Sequence, residues 1–287
     1  MPLKVAYLGP EGSYTQQAVL QQFGNDIIAL PQSTIDDCFK CIDSKTVDYT
    51  VVPFENSTNG QVVFTYDLLR DWFINEQPPK FKIVAEQFVA IHHNLLGQVK
   101  SLDDIKTIYS HPQVWTQVKK FLSEKIPSNV VRIDVKSTSH AAEMVKNEGK
   151  NGTSAAISSK MSSELYELPI MYENIEDNVN NTTRFLVLGY EEPPKQNHEE
   201  EQVVTSVMFT LNNAENPGAL CDVLVRFKSN DVNLIAINSR PSNVKPWEYV
   251  FFVEILGDVK NSLEEIKQNC LELVLLGTFK RSWRYYK

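Results

Sequence analysis

The sequence is short of the residues from which most specialised sites are built. Four cysteines occur among 287 residues, at 38, 41, 221 and 270. Cys38 and Cys41 form one CxxC, with no second pair and no HxxxH partner, so a closed zinc site lacks its ligands. In the segment 34–43 (TIDDCFKCID) the i, i+3 spacing puts both sulfurs on one helical face beside Ile35 and Ile42, as in a helix packed on a core. There are five histidines, and no Ser/His/Asp triad can be assigned from their spacing. His92 and His93 are neighbours in an expected strand and would point to opposite faces, so no metal site is expected. Neither GxGxxG nor GxxxxGK[ST] occurs, which disfavours dinucleotide and triphosphate ligands. No basic stretch stands out and the formal net charge is −8, which argues against nucleic acid. An anionic ligand would meet an unfavourable global field and would be held by local Arg, Lys and backbone amides. No apolar run approaches the roughly 18 residues of a spanning helix. The opening MPLKVAYLG is too short an apolar run for a signal peptide, so a cytoplasmic protein without membrane contact is expected.

What is present is ordinary in bulk and specific in pattern. Hydrophobic residues make up 42% and charged residues 22%, and the length allows two domains with cores of their own. Residues 5–8, a turn at 9–15 and a helix through 16–23 open a βαβ alternation that argues for an α/β fold with largely parallel sheet. A strand at 49–52 runs into the loop 53–60, and a helix follows at 67–75. A second α/β unit starts at about 81, with strands at 83–91, 107–109 and 153–157 and helices at 113–122 and 139–146. The acidic, proline-containing stretch 191–202 has no apolar residue and reads as a linker. Beyond it, a strand at 203–211, a helix opening at 217–220, strands at 232–238 and 249–255, a helix at 262–273 and a short last strand after Gly277 spell βαββαβ, a ferredoxin-like unit.

Several polar clusters sit at strand ends, where open α/β sheets bind ligands. GPEGSYT (9–15) joins a strand to a helix N-terminus, where free amides attract anions, and Ser13 or Thr15 can also serve as the helix cap. PFENSTNG (53–60) offers Glu55, Asn56, Ser57 and Thr58, and equally reads as a polar turn capping the next helix. SHPQ (110–113) and STSHAA (137–142) are strand-to-helix turns whose His111 and His140 read as structural. NTTRF (181–185) puts hydroxyls beside a guanidinium at the mouth of the apolar run 185–189, a pairing that can hold a carboxylate and offer it a hydrogen bond. Strand alternation sets a condition on it: if Thr183 and Arg184 are already in regular strand, only one of them faces a ligand, and Thr183 is the expected one. A bilobed body with a cleft lined by hydroxyls, amides and at least one Arg suits a small polyanion.

In this order the motifs GPEGSYT, PFENS with Gly60, SHPQ, STSHAA, AAISS (155–159) and Asn181 with Thr183-Arg184-Phe185 resemble the prephenate dehydratase family. PGAL (217–220) and SRP (239–241) are similar to the ligand-contact motifs of the regulatory ACT domain that follows in that family. The resemblance implies a catalytic domain at 1–190 similar to type II periplasmic binding proteins, with lobe 1 at about 1–80 plus 172–190 and lobe 2 at about 81–171. A linker at 191–202 and an ACT domain at 203–287 follow. It implies that prephenate loses CO2 and its ring hydroxyl to give phenylpyruvate for phenylalanine synthesis, with no cofactor, because aromatisation drives the reaction. Thr183 would donate to the departing hydroxyl, Arg184 would hold substrate or order the site, and Phe185 would pack behind. Ser13, Tyr14, Thr15, Asn56, Ser57 and Ser159 would complete the pocket, with Glu55 ordering its loop. Phenylalanine would be the effector, bound by Pro217, Gly218, Ala219, Leu220, Asn238, Ser239, Arg240 and Pro241. Asn238 stands where the family usually carries Glu, which puts feedback sensitivity in question. The basic aromatic end, 279–287, reads as a closing strand or a subunit contact. A homodimer or homotetramer is implied. Arogenate as substrate, or a non-catalytic binding or sensing role, are the alternatives.

Overall fold

The computed structural model describes residues 2–149, 152–194, 199–212 and 214–286. The chain begins with β1 (Leu3–Leu8), α1 (Tyr14–Phe23), β2 (Ile27–Gln32), α2 (Ile35–Asp43), β3 (Tyr49–Asn56), the two-residue β4 (Gly60–Gln61), α3 (Val63–Phe73) and β5 (Lys82–Ala90). Local chemistry sets these limits. Ser13 and Thr34 cap α1 and α2 by accepting from Gln16 N and Asp37 N, and Gly24 closes α1 at φ +74°. α2 buries Ile35, Cys38, Phe39 and Ile42, and burial pushes the Cys38 thiol up to about 12, so the CxxC is part of a core.

Next come β6 (Asn94–Gly97), β7 (Thr107–Ser110), a 3-10 turn (Pro112–Thr116), α4 (Lys119–Lys125), β8 (Val131–Asp134), α5 (Thr138–Glu148), β9 (Ser154–Ser158), α6 (Lys160–Tyr166), β10 (Ile170–Tyr172) and β11 (Thr182–Gly189). The helix expected at 113–122 is two pieces, with the Asp177 carboxylate capping the second by accepting from Lys119 N and Lys120 N.

The strands form two lobes. One sheet has the order β2-β1-β3-β11-β5, with β4 on β3, and the other runs β10-β6-β9-β7-β8. Both are mixed rather than largely parallel: β11 is antiparallel to β3 and β5, and β6 is antiparallel to β9 and β10. The expected lobe boundary at about 81 moves accordingly. β5 belongs to the first lobe because its whole length pairs with β11, and Phe81 packs among Phe39, Phe73 and Trp72 of that core. Likewise β10, through Tyr172, stays with the second lobe by pairing with β6. Two crossovers, at 91–93 and 173–181, join the lobes, and they are bonded to the same framework: Ile91 N donates to Asn181 O and Ile175 N to His93 O, each at 2.8 Å.

The C-terminal unit follows the expected order: β12 (Glu199–Leu211), α7 (Ala219–Ser229), β13 (Leu234–Pro241), β14 (Tyr249–Leu256), α8 (Lys260–Lys267) and β15 (Cys270–Ser282), with a closing 3-10 turn at Trp283–Tyr286. The antiparallel sheet has the order β13-β14-β12-β15. β12 already starts at Glu199, so the expected linker is shorter than 191–202, and its residues 195–198 lie outside the described residues. α8 ends at Lys267 rather than 273, and the last strand is long rather than short; part of the basic aromatic segment lies in it, with buried Arg281 stacked on Tyr285 at 4.3 Å. α7 and α8 cover one face of the sheet with Val223, Phe227, Leu263 and Ile266. Its other face, carrying Val204, Met208, Val250, Phe252, Leu276 and Phe279, joins the first lobe's core of Phe54, Tyr66, Leu69 and Phe81. Among the described residues no helix is long and apolar enough to cross a membrane.

This docking depends on a glycine. At Gly277, β15 lies directly on β5, and a Cβ there would fall inside contact distance of the Ile83 carbonyl oxygen. Lys82 Nζ donates to Leu275 O at 2.9 Å beside the contact. Backbone cannot swing aside as a side chain can. Gly277→Ala is therefore expected to destabilise by about 2–3 kcal/mol from overpacking, well above the ~0.4–1 kcal/mol gained by restricting the unfolded chain. Urea unfolding reads the balance; a variant as stable as the parent would show that the two strands can separate freely.

Candidate functional site

The two lobes meet over the loop 9–15. Gly12 adopts φ +77°, and a Cβ at that position would stand 2.7 Å from Ser139 Oγ. Ser139, in the first turn of α5, donates its hydroxyl to the Glu11 carbonyl. Ser159, the N-cap of α6, and Ser162 both donate to Gly12 O, at 3.2 and 3.1 Å. Ser159 thus clasps the lobes together while accepting from Ser162 N at 3.1 Å. Ser13 is occupied as a cap, donating to Leu8 O at 3.4 Å, and Thr15 is buried in the helix behind it. The N-terminal ends of α1 and α5 therefore converge on this junction, and their dipoles favour negative charge there.

The second cluster is centred on Asn56. Its Oδ1 accepts from Thr58 N at 3.0 Å and Asn59 N at 2.8 Å, an Asx turn that fixes which way the amide points. Its Nδ2 then faces Asn181 Oδ1 at 2.8 Å, Thr183 Oγ1 at 3.0 Å and Thr182 O at 3.3 Å. Because Thr183 Oγ1 accepts from Asn56, its own proton is left available for another acceptor. Ser57 locks the same strand, accepting from Thr182 N at 2.9 Å through Oγ and donating its N–H to Thr182 O at 2.8 Å.

The network continues across the crossover into the second lobe. Asn181, buried to 1% exposure, donates Nδ2 to Gln117 Oε1 at 3.3 Å, and that oxygen lies 2.6 Å from His93 Nε2. His93 Nδ1 is 3.4 Å from the Tyr14 hydroxyl, which donates to His92 O at 2.7 Å. Burial lowers the His93 pKa below its ordinary value, against the opposing pull of the Gln117 bond and the Glu176 carboxylate. His93 is thus a neutral imidazole that donates to Gln117. Burial also holds the Tyr14 phenol well above its ordinary value, so it stays a donor. Sequence reading missed Gln117 and His93. Nothing marks Gln117, and His93 was assigned to a strand whereas it lies on the crossover. His111 and His140 are structural: His111 Nδ1 accepts from Gln113 N at 3.4 Å and His140 pairs with Glu143 at 3.0 Å.

Arg184 is not in the cleft. Both Thr183 and Arg184 lie in regular β11, so their side chains leave opposite faces. The guanidinium, 6% exposed, donates Nε to Glu86 Oε2 at 2.7 Å and its terminal nitrogens to Glu254 at 2.8 and 2.7 Å. Phe54 and Phe88 rings stand 5.3 and 5.8 Å from it. Burial alone would lower its pKa, but Glu254 and Glu86 outweigh burial and hold it above its ordinary value. Phe185 is core, buried with Tyr7, Val51 and Val89 on the face that Thr183 shares. Of the three residues expected at the chemistry, only Thr183 joins the polar network at the strand end. Among the described residues no Lys or Arg joins that network, so an anion there would be held by hydroxyls and helix-end amides.

The expected effector residues divide between two faces. Gly218, at φ +88°, starts α7 after Pro217, followed by Ala219 and Leu220. Thr210 and Arg240 both lie opposite Val250, so this loop and the end of β13 share one end of the sheet. Along β13 the alternation sends Asn238 and Arg240 towards the first lobe. Asn238 Nδ2 donates to Tyr66 Oη at 3.0 Å and Oδ1 accepts from Gln61; Arg240 makes a two-point bond to Asp67, both at 2.9 Å. Ser239 and Pro241 are exposed on the other side, beside Ile235 and Ile237.

Comparison with known proteins identifies the family. The prephenate dehydratase family model matches residues 5–193. A bifunctional chorismate mutase/prephenate dehydratase of Pseudomonas aeruginosa is 40% identical over 98% of this chain and 74% of its own length. A probable prephenate dehydratase of Saccharomyces cerevisiae is 37% identical over 99% and 98%. Among solved structures, the prephenate dehydratase of Arthrobacter aurescens in complex with L-Phe superposes with TM-score 0.82 at 26% identity, covering 96% of this chain and 89% of that one. A quorum-quenching acylase, GqqA, superposes with TM-score 0.81 at 26% identity over 99% of both chains. On the family match across most of its length and these near-full-length relatives, the chain belongs to the prephenate dehydratase family.

Proposed function

We propose that Thr183 is the hydrogen-bond donor of a prephenate dehydratase reaction, with Asn56 as the group that aims it. In the reaction the bond between the ring and its carboxylate breaks to release CO2, its electron pair moves into the ring, and the C4 hydroxyl leaves with the electrons of its C–O bond and becomes water by taking a proton from solvent. Aromatisation supplies the driving force, so the protein has two tasks: to hold a dianion and to stabilise charge growing on the departing oxygen. The observation that carries the assignment is the 3.0 Å bond from Asn56 to Thr183 Oγ1, which leaves the threonine proton free. A threonine hydroxyl is a very weak acid, so it acts as a preorganised donor rather than a full proton source. Tyr14, Ser57 and Ser159 stand on the pocket's two walls, Ser13 and Thr15 support the start of α1 behind them, and Gln117 and His93 hold Asn181 and thereby Asn56 in place.

The product, phenylpyruvate, leads to L-phenylalanine, and the C-terminal unit is an ACT domain that senses it. Support comes from its βαββαβ order and from the L-Phe complex of the Arthrobacter aurescens relative. The chain works in the cytoplasm as a homodimer or homotetramer that pairs through these domains, a reading supported by exposed Ile235 and Ile237 on the edge strand β13. One assay tests the reaction: purified protein with prephenate, then arogenate, with and without phenylalanine. Turnover of arogenate with the higher kcat/KM would change the substrate, and prephenate binding without phenylpyruvate would leave a sensor.

Thr183→Ala is expected to lower kcat by about 10²–10⁴ with a small change in KM, while Thr183→Ser keeps most of the rate; near-normal kcat for the alanine variant would sink the assignment. Arg184→Met is expected to act on stability instead, by about 3–5 kcal/mol, because it strands the buried Glu254 carboxylate and takes one of two cations from Glu86. Urea unfolding measures it, and a loss of activity without a loss of stability would return Arg184 to the cleft. For His93 the folded pKa lies below the unfolded value of about 6.5, so the unfolded chain takes up the proton first as pH falls. Its stabilising contribution is complete above pH ~6.5 and shrinks below it. Between pH 6.5 and 5 the parent should lose stability more steeply than His93→Gln; equal slopes would mean that the imidazole is not buried neutral.

A further inference from the structure

The polar contact that Asn238 makes with the first lobe lands on the hairpin that carries Asn56. Asn238 Oδ1 accepts from Gln61 Nε2, and Gln61 sits in β4, paired with Glu55 while its neighbour Gly60 pairs with Asn56. Asn238 Nδ2 donates to the Tyr66 hydroxyl at 3.0 Å, and the Tyr66 ring stacks on Phe54 at 4.4 Å and 21°. One amide therefore grips the hairpin on both sides, before Asn56 through Phe54 and after it through Gln61. An amide suits this place because it offers a donor to one partner and an acceptor to the other at once. Between the two grips, residues 57–59 are exposed, and Gly60 turns at φ +78°.

We propose that Asn238 is a positioning residue for the dehydration: through Gln61 and Tyr66 it holds the β3–β4 hairpin where Asn56 can fix the Thr183 hydroxyl. This rests on the reading of Thr183 and Asn56 given above. It gives the C-terminal unit a direct hold on the chemistry that does not require an effector to be bound. Two hydrogen bonds at a half-exposed contact add little to stability beside the apolar face around them. Their loss would let the hairpin shift, and a displacement of about 1 Å at a reacting group can cost up to ~10²-fold in rate.

The test compares Asn238→Leu, Gln61→Leu and Asn238→Asp in the full chain. With prephenate, both leucine variants are expected to lose about tenfold in kcat with KM within about twofold. Their double variant should be no slower than Asn238→Leu alone, since the Gln61 bond is already one of the two that Asn238→Leu breaks. Asn238→Asp keeps the acceptor for Gln61 and should recover most of the rate. In a Thr183→Ala background Asn238→Leu should cost nothing further. Amide hydrogen exchange supplies a readout independent of turnover: at Thr58 and Asn59, whose N–H groups bond to Asn56, Asn238→Leu should speed exchange about tenfold. Parent-like kcat in Asn238→Leu, or its full loss persisting without the Thr183 hydroxyl, would overturn the proposal. If Asn238→Leu does not fold, Gln61→Leu, altered only on the hairpin side, carries the same prediction. A parent protein that turns over no prephenate would remove the reaction assignment, while parent-like exchange at Thr58 and Asn59 would remove the grip itself.

Discussion

Arg184 is fixed by two carboxylates from distant parts of the chain, Glu86 in β5 and Glu254 in β14, and the placement of Thr183 follows from that. Each buried ion costs several kcal/mol in lost hydration, so such a cluster is a poor source of net stability compared with apolar packing. Its value lies in register. If β11 slid by one residue, every side chain would change face, the guanidinium would leave its partners, Glu254 would lose its cation in the core and Glu86 would keep only Arg281 and the Ser282 N–H. The correct register is thereby separated from its neighbours by the cost of uncompensated buried charge. Glu86 adds a tie to the last strand, accepting from Ser282 N at 3.1 Å with Arg281 3.4 Å away. The strand that bears Thr183 is thus positioned from behind by both the first lobe and the C-terminal unit.

On the cleft side the same strand is positioned by neutral groups. Asn56, Asn181, Gln117 and His93 are uncharged: Asn56 donates to Asn181 and Asn181 to Gln117, whose side-chain oxygen also accepts from His93. Such a chain polarises its members without placing a fixed charge beside the departing hydroxyl. The division suits the reaction. A cation next to Thr183 would bind the substrate's carboxylates as well as the transition state, whereas a preorganised hydroxyl acts where charge develops. On the proposed reading the helix ends around Gly12 would serve the carboxylates instead, and a Cβ at Gly12 would stand 2.7 Å from Ser139 Oγ across the junction.

How much of this was legible in the sequence depended on distance along the chain. Turn chemistry is local, so the cap at Ser13, the polar turn at Asn56 and the βαββαβ order could be read directly. Strand alternation, also local, set the condition that Thr183 and Arg184 part if both lie in regular strand, and they do. What lay beyond reach was set by long-range pairing. The partners of Arg184 are 98 and 70 residues away, and no motif marks them. β5 looked like the first strand of the second lobe because an apolar strand carries no label for the sheet it joins. Gln117 was hidden because an amide is functional only through its neighbours, which the fold supplies. Asn238 was read as a missing effector carboxylate, whereas its side chain faces the catalytic lobe.

The same alternation that parts Thr183 from Arg184 also organises β13, with a different consequence. Its inward residues, Asn238 and Arg240, are bonded to Gln61, Tyr66 and Asp67, and Arg70 reaches across to Pro241 O at 2.6 Å. Its outward residues, Ser239 and Pro241 with Ile235 and Ile237, stand on an edge strand of the sheet. A strand is stiff along its length, and adjacent residues on opposite faces cannot move independently. Anything that seizes Ser239 from outside, whether an amino acid or a second chain, must therefore bear on Asn238 and Arg240 from within. Since the sheet's inner face is one continuous apolar core with the first lobe, the C-terminal unit cannot swing away at low cost. A signal arriving at β13 is consequently confined to small shifts, and the polar contacts on Gln61, Tyr66 and Asp67 are where shifts of that size register.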